Sequence, residues 1–508
     1  MSHPVLVIGA GPTGLALACG LRLRGIPVRV IDAASEPAGT SRALGVQPRG
    51  VEVLDRLGAL GDLPERAIRL SEVRVHVGRR LVSTMPMRWL AARERSPLLI
   101  SQVEIETALR ERLEALGGRV EWEHELVGAT QDDHAVTVVL RTPSGMADTR
   151  VPWLVGCDGA HSLVRKLAGI GFPGAPVAED FLLADVRARW TADPEIMTSW
   201  AHGGGMISVC ALPGEGRWRL MSPSPPGTDP GRDRTGIRPR LERQLAACTP
   251  FRGEEIDRVE WLSSFRIHRR LADSYRRGRM LVAGDAAAVH HPFGGQGMNT
   301  GLGDAENLAW KLALVEGGGA DPRLIDSYEA ERRPVAEGVV AATSATSRVV
   351  LGDSPGIRSL RDTLLLPLMD HPKVQGYLWR SASQLGVSYR GRTLAPKPCP
   401  LRAGPRPGDR VPDIACHDTG GASIRMHRAL RGRWALITRP GDHEVSAAAV
   451  RRRLGAGLVV LYPDHPGLTD TLLVRPDAHL AWRGTADPHA LGRWLDRVLG
   501  SGAVPAPA

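Results

Sequence analysis

Two kinds of hydrophobic pattern alternate along the first third of the chain. Val5-Leu-Val-Ile8 is a short apolar run suited to a buried parallel strand, and after Gly14 a helical stretch continues to Arg24, where Gly25 stops it. Val28-Arg-Val-Ile31 predicts a second strand. Ile105, Leu109, Leu113 and Leu116 recur at helical spacing up to Gly117-Gly118 and predict a core helix that Ser101-Gln-Val-Glu104 opens as a capping box. Pro152-Trp-Leu-Val-Gly156 and Arg279-Met-Leu-Val-Ala283 predict two more buried strands, and a helix is predicted through Asp304–Leu312. Between about Gly171 and Phe265 the period changes to short alternating segments such as Phe181–Ala188 and Met206–Leu212, broken by a Pro/Gly-rich piece from Ser222 to Gly236. Ile357–Leu385 carries two helical patterns, and Pro396–Pro412 has the composition of a linker.

Length turns these patterns into domains. With 508 residues and 43% hydrophobic content the chain can bury two or three cores. The stretch Val5–Leu21 resembles a signal peptide only superficially, because no Lys or Arg precedes it and glycines interrupt it. No other segment approaches the roughly 20 apolar residues of a membrane span, so a soluble protein is expected. The six cysteines form no CxxC pair, which makes a reduced, cytoplasmic setting the expectation. The net charge of +10 is carried by dispersed Arg residues, as in Arg269-Arg270 and Arg276-Arg277. That distribution fits a solvated surface that suits an anionic cofactor and a phosphorylated reductant better than nucleic acid. No spacing suggests a metal site.

Three segments carry chemistry. Gly9-Ala-Gly11-Pro-Thr-Gly14 follows the first strand as a GxGxxG turn. Gly9 permits the tight turn, Gly11 lets a pyrophosphate approach the backbone, and Gly14 lets the helix lie close to the strand. Asp32 ends the second strand at the right distance to bind ribose hydroxyls, although this motif does not separate FAD from NAD. The strand at 152–156 ends in Cys157-Asp158-Gly159-Ala-His-Ser162-Leu-Val-Arg165. The third segment joins Gly284-Asp285 to Pro292-Phe-Gly-Gly295-Gln-Gly297-Met-Asn299-Thr-Gly301 and then to a helix, an arrangement suited to an anionic or electron-rich ligand at a helix N-terminus.

Together these motifs resemble the three fingerprints of class A FAD-dependent aromatic monooxygenases. Ser41-Arg42-Ala-Leu-Gly45-Val-Gln-Pro-Arg49, Glu52–Gly58 and Tyr328-Glu-Ala-Glu331-Arg332-Arg-Pro334 are similar to the aromatic polyketide hydroxylase branch. So are Gly408–Asp413, Trp434–Ile437 and Val474-Arg-Pro-Asp477 through Trp482-Arg483. The resemblance implies an α/β fold of the para-hydroxybenzoate hydroxylase type: a Rossmann-like FAD-binding domain at 1–172 and 265–345, and a β-sheet substrate domain at 173–264. A helical linker at 346–395 and a thioredoxin-like C-terminal domain at 396–508, without dithiol chemistry, would follow.

It further implies that Gly9, Gly11 and Gly14 pack on the FAD pyrophosphate, that Asp32 takes the adenosine ribose and that Gln102 lies near the ribityl chain. Asp158 would serve FAD and NADPH handling, and Asp285 would hold the ribityl hydroxyls. Gly295, Gln296, Gly297, Met298 and Asn299 would line the isoalloxazine. Arg42 would lie along a flavin that swings between reduction and oxygenation positions, and is the leading functional charge. The chain departs from the family pattern in reading Ala286-Ala287-Ala288-Val289-His290-His291 where a His usually follows Gly-Asp-Ala-Ala. His290 and His291 are therefore candidates near the substrate, His290 as the group favouring an ionised phenol, against an alternative as ordinary loop residues. Met206, Val209 and Trp218 are candidate pocket residues for which plain core is the favoured reading.

The expected reaction uses NADPH to reduce FAD, oxygen to form a flavin C4a-hydroperoxide, and that species to hydroxylate a bulky polycyclic aromatic of polyketide or antibiotic type. Baeyer-Villiger insertion on a polycyclic ketone, or binding and sequestration of a polycyclic compound without turnover, stays open at this point. The expected partners are that substrate and O2, with no nucleic acid and no membrane, in a monomer or homodimer.

Overall fold

The computed structural model of the protein describes residues 3–40, 43–87, 96–202, 205–223, 237–290, 295–351, 370–395, 404–441, 443–464 and 469–500, with single positions 356, 363 and 368. Val5–Ile8 (β1) is buried along its whole length and pairs in parallel with Val28–Ile31 (β2) on one side and Leu154–Gly156 (β3) on the other. Met280–Val282 (β4) extends the sheet in parallel beside β3. Such short Val/Leu/Ile runs have no polar face because both sides of a parallel sheet are covered.

One face packs on helices α1 (Pro12–Arg22), α2 (Pro48–Leu57), α3 (Gln102–Ala115) and α4 (Gly297–Glu316), which share a single apolar core with β1, β3 and β4. The other face packs on an antiparallel meander spanning Glu125–Val151 and on the short helix Leu163–Leu167. Ile105, Leu109 and Leu113 are fully buried on α3, as their spacing predicts. The helix predicted through Asp304–Leu312 extends in both directions as α4.

An eight-stranded sheet follows, whose central strands are Gly174–Ala188, Arg217–Pro223, Gly205–Ala211 and Ile256–Leu271. The hairpin Glu72–Val77 and Arg80–Pro86, from within the 1–172 segment, completes this second sheet, with Glu72–Val77 pairing in parallel with Ile196–His202. A half-buried hairpin does not announce its partner, because strand pairing is set by distant contacts rather than by its own pattern. Alternation gives this sheet two unlike faces. Leu182, Ala184 and Val186 join Ile207, Val209, Trp218 and Leu220 against the helix Ile237–Cys248. Val209 and Trp218 are thus core, whereas Met206 is buried on the opposite face. On that opposite face Cys210, Arg219, Asp185 and Trp261 form one lateral row across four strands.

The helix α5 (Asp326–Leu351) carries the chain past position 345, so it crosses the expected start of the linker. Of the linker helices, Pro372–Ser383 is described. The last unit is a mixed six-stranded sheet in which Trp434–Ile437 and Leu458–Pro463 pair in parallel and the outer strands are antiparallel. The helices His443–Leu454 and Pro488–Leu499 pack on it in the thioredoxin-like manner. Its Cys416 is buried and free, and Cys399 lies outside the described residues.

Candidate active site

The three chemistry-bearing segments meet because their strands are in register. Ile8 pairs with Gly156 and Gly156 with Val282, so Gly9, Cys157 and Ala283 leave the sheet side by side at its C-terminal edge. This edge is where open α/β sheets bind ligands.

Steric detail separates the three glycines of the first turn. Gly9 has φ +102°, and a Cβ on it would lie 2.4 Å from the Cys157 carbonyl oxygen. A Cβ on Gly14 would lie 2.0 Å from the Gly9 carbonyl oxygen. A Cβ on Gly11 would meet nothing within 4 Å, so this position at the start of α1 faces free space. Thr13 supplies a contact that the glycine pattern alone does not show: its hydroxyl oxygen lies 2.5 Å from where Gly284 would carry a Cβ and 2.2 Å from where Gly301 would. The first turns of α1 and α4 therefore adjoin, and two positive helix ends lie together at the sheet edge.

The acids divide into two groups. Asp32 accepts from Ala10 N at 2.8 Å and Ala34 N at 2.9 Å, which fixes the glycine turn against β2. Asp158 Oδ2 accepts from Leu163 N at 2.7 Å and Val164 N at 3.2 Å and so caps the short helix, while its buried Oδ1 has no hydrogen-bond partner among the described residues. Arg165 of the same segment donates to the carbonyls of Ala286 at 2.9 Å and Ala160 at 2.9 Å, with its guanidinium 3.8 Å from the Phe172 ring centroid. It thus ties the second segment to the third. Asp285 is different: its side chain is exposed at the cleft yet surrounded by protein, and desolvation followed by repulsion from Asp304 pushes its carboxyl up to about 6.

In the glycine loop, Gly295 has φ +58° and the buried Gln296 precedes α4, its Oε1 without a hydrogen-bond partner among the described residues. The Asn299 amide donates to Gly295 O at 2.7 Å and accepts from Gln47 N at 2.9 Å, so it closes the loop onto the start of α2. Met298 packs partly against the main core. The His290 ring lies 3.7 Å from a Cβ placed on Gly297. Gln102 opens α3 and donates to Glu106 at 2.7 Å. Ser101 caps that helix through Val103 N, and Glu104 pairs with Arg66. Arg42 and His291 lie outside the described residues.

Beside Leu44 and Ser101 opens a cavity of about 270 Å³ whose far wall is the row Asp185, Arg219 and Trp261. Arg219 is almost wholly buried and makes a bidentate pair with Asp185 at 2.6 and 2.8 Å, its guanidinium 5.4 Å from the Trp261 ring centroid. The sequence held a signal for this pair: Asp185 interrupts the apolar run Phe181–Val186, and Arg217 and Arg219 alternate with Trp218 and Leu220. Among the described residues no cluster of His, Cys, Asp and Glu could hold a metal ion, and no helix is long and apolar enough to cross a membrane.

Residues 2–343 match the FAD binding domain family, and residues 404–502 match the C-terminal family of aromatic-ring hydroxylases. The chain belongs to the FAD-dependent aromatic-ring monooxygenases. This monooxygenase is 36% identical, over 96% of both chains, to the 12-dehydrotetracycline 5-monooxygenase/anhydrotetracycline 6-monooxygenase of Streptomyces rimosus. Its fold matches that of anhydrotetracycline hydroxylase from Streptomyces rimosus with a TM-score of 0.81 at 32% identity, covering 99% of this chain and 100% of that one. A ternary complex of aklavinone-11 hydroxylase with FAD and aklavinone matches with a TM-score of 0.79 at 27% identity, covering 98% and 99%. The monooxygenase therefore has the para-hydroxybenzoate hydroxylase fold, and FAD is its cofactor. The strand-end geometry fits that cofactor, since the free space at Gly11, the adjoining helix ends and the exposed Asp285 offer an anion seat beside a hydroxyl acceptor.

Proposed function

We propose that this monooxygenase hydroxylates a bulky polycyclic aromatic substrate of polyketide or antibiotic type, with NADPH as reductant and O2 as oxygen source. The observation that carries the reading is the cavity between the FAD-binding segment at Leu44 and the Asp185, Arg219 and Trp261 row. Trp261 presents an aromatic surface for stacking, and Arg219, its Nε and Nη2 held by Asp185, fixes the charged row behind it. Half-buried Met87, Met197 and Met221 pack around Leu99 and Cys210 on the same side of the sheet and supply adaptable apolar surface.

Gly9, Gly11 and Gly14 with the first turns of α1 and α4 hold the FAD pyrophosphate, Asp32 takes the adenosine ribose, and Asp285 accepts from the ribityl hydroxyls. Gly295, Gln296, Gly297, Met298 and Asn299 border the ring system, Gln102 serves the ribityl chain, and Asp158 serves FAD and NADPH handling. Bound there, FAD supplies electron transfer and oxygen activation, so no side chain has to act as a nucleophile. The protein's part is to orient the substrate ring, exclude water and move one proton, for which His290 beside Gly297 is the assigned acceptor.

The test is NADPH consumption under air by the FAD-loaded protein with simple phenols, polycyclic phenols and polycyclic quinones, with product masses from the same reactions. Polycyclic compounds are expected to speed consumption and gain one oxygen, whereas simple phenols leave the rate near background. Stimulation by simple phenols alone would overturn the substrate class. A ring-expanded product from a ketone would replace hydroxylation with Baeyer-Villiger insertion.

A further inference from the structure

A buried set of charges fills the joint between the FAD-binding unit and the C-terminal unit. Glu331 on α5 accepts from both terminal nitrogens of Arg475 at 2.7 and 2.9 Å and from Lys311 on α4 at 2.8 Å. Asp477 accepts from Arg475 and from the Trp310 indole at 3.2 Å, and its carbonyl oxygen accepts from Arg49 at 2.7 Å. His479, in the same loop, stacks on the Tyr389 ring with centroids 4.1 Å apart. From Tyr389 the contacts lead away from the joint and toward the cofactor site.

Arg332 is the turning point. It donates through Nη1 to the Tyr389 hydroxyl at 3.0 Å, through Nε to Asp304 at 2.7 Å and through Nη2 to the Thr300 carbonyl at 3.0 Å. Asp304 in turn accepts from Gly284 N at 3.1 Å, the residue before Asp285. Thr300 lies in the first turn of α4, and its hydroxyl accepts from Gln384 at 2.9 Å. One guanidinium therefore fastens both walls of the proposed FAD grip, the Gly284-Asp285 turn and the start of α4. Gly303 lets it lie flat on α4, because a Cβ there would come within 2.9 Å of Nη2.

We propose that Arg332 is a positioning residue through which the C-terminal unit, by way of His479 and Tyr389, sets how tightly the Gly284-Asp285 turn and the start of α4 hold FAD. The inference rests on the proposed placement of FAD at Asp285. It gives the thioredoxin-like unit a role in cofactor retention that needs no chemistry of its own. Asp304, the link nearest the cofactor, is faced by Arg332, Tyr275, Tyr328, Cys157 and Asp285, so Arg332 is the cation that balances it.

The experiment titrates full-length apoprotein with FAD, following flavin fluorescence, and records the melting midpoint of each variant. Tyr389→Phe keeps the ring on His479 and deletes only the hydroxyl that holds Arg332. It is expected to weaken FAD by about 3- to 10-fold, the range for one buried hydrogen bond. Arg332→Lys, which cannot span three acceptors, should weaken it further. Arg410→Gln cuts the Arg410–Glu52 side-chain pair at the same joint and leaves the backbone bridge of residue 410 to His479, and the contacts from there to Gly284, in place. It should lower the melting midpoint and leave FAD affinity within about twofold. The proposal is overturned if Tyr389→Phe and Arg332→Lys fold and bind FAD like wild type, or if Arg410→Gln weakens FAD as much as they do. Asp285→Ala leaves Arg332 in place, so normal FAD affinity in that variant alone would reject the cofactor placement instead.

Discussion

The cofactor crevice and the joint behind it are both rich in buried or enclosed charge, yet their polar groups are in opposite condition. At the joint, Glu331 accepts four hydrogen bonds, from Asn307, Lys311 and both terminal nitrogens of Arg475, and Arg475 meets two carboxylates; although burial alone would raise the Glu331 carboxyl, Arg475 and Lys311 hold it at about 2. At the crevice, Asp158 Oδ1 and Gln296 Oε1 have no hydrogen-bond partner among the described residues, and desolvation within the cleft, with repulsion from Asp304, pushes Asp285 up to about 6. Burial of charge is thus a poor guide to function by itself. What distinguishes a ligand site from a structural lock is whether the protein has already answered its own polar groups.

The sharpest way to break this comparison is to unbalance the joint. Glu331→Ala would leave Arg475 and Lys311 facing each other in a space without water, and is expected to cost about 3–5 kcal/mol of stability, measured by denaturant unfolding. A loss below about 1 kcal/mol, the worth of an exposed pair, would show that the joint is not closed. The next largest effect separates fold from ligand within one motif. Gly14→Ala places a Cβ 2.0 Å from a backbone oxygen that cannot move aside, and should destabilise the apoprotein itself. Gly11→Ala places its Cβ in free space, so the apoprotein should melt as wild type while FAD binding weakens by about tenfold or more. Equal FAD affinity in Gly11→Ala and wild type would move the pyrophosphate elsewhere.

How much of this was legible in the sequence follows the distance between partners. The glycine turn, the strand ending at Asp32 and the face of α3 depend on neighbours a few residues away or on a simple period, and the structure has them where the pattern placed them. The bond from Gln47 N to the Asn299 side chain, between residues 252 apart, closes the glycine loop onto α2, and neither neighbourhood encodes it. The sheet that takes the hairpin Glu72–Pro86 is not legible for a similar reason, since nothing local names its partner at Ile196–His202. Arg49, Glu331, Arg332 and Asp477 were visible only as marks of a family branch. Their physical role requires Arg49 to reach Asp477 across 428 residues, which no periodicity encodes. Arg219 and Asp185 are legible as charges set between apolar neighbours, Trp218 and Leu220 on one strand and Ala184 and Val186 on the other, although neither strand names the other as its partner.

The smallest expected effect tests the crevice side of the comparison through pH. Asp285 has its carboxyl raised to about 6 by desolvation and by Asp304, so in the apoprotein it takes up a proton well before an ordinary carboxylate does. The sign of the consequence differs between folding and binding. For folding, a raised carboxyl pKa means the native state binds the proton more readily than the unfolded chain. Apoprotein stability from this group therefore rises as pH falls from about 6 toward the ordinary value of 3.8. For FAD, the ionised carboxylate is the better acceptor for ribityl hydroxyls, so affinity should fall over the same window, by at most about tenfold between pH 7 and pH 5 for a single proton. Titrating FAD at each pH, beside apoprotein melting, reads both trends. Asp285→Asn should bind FAD more weakly at neutral pH and lose the step near pH 6, with histidines and other groups untouched. A step that survives in Asp285→Asn belongs to another group, and Asp285 would then be as fully answered by the protein as Glu331.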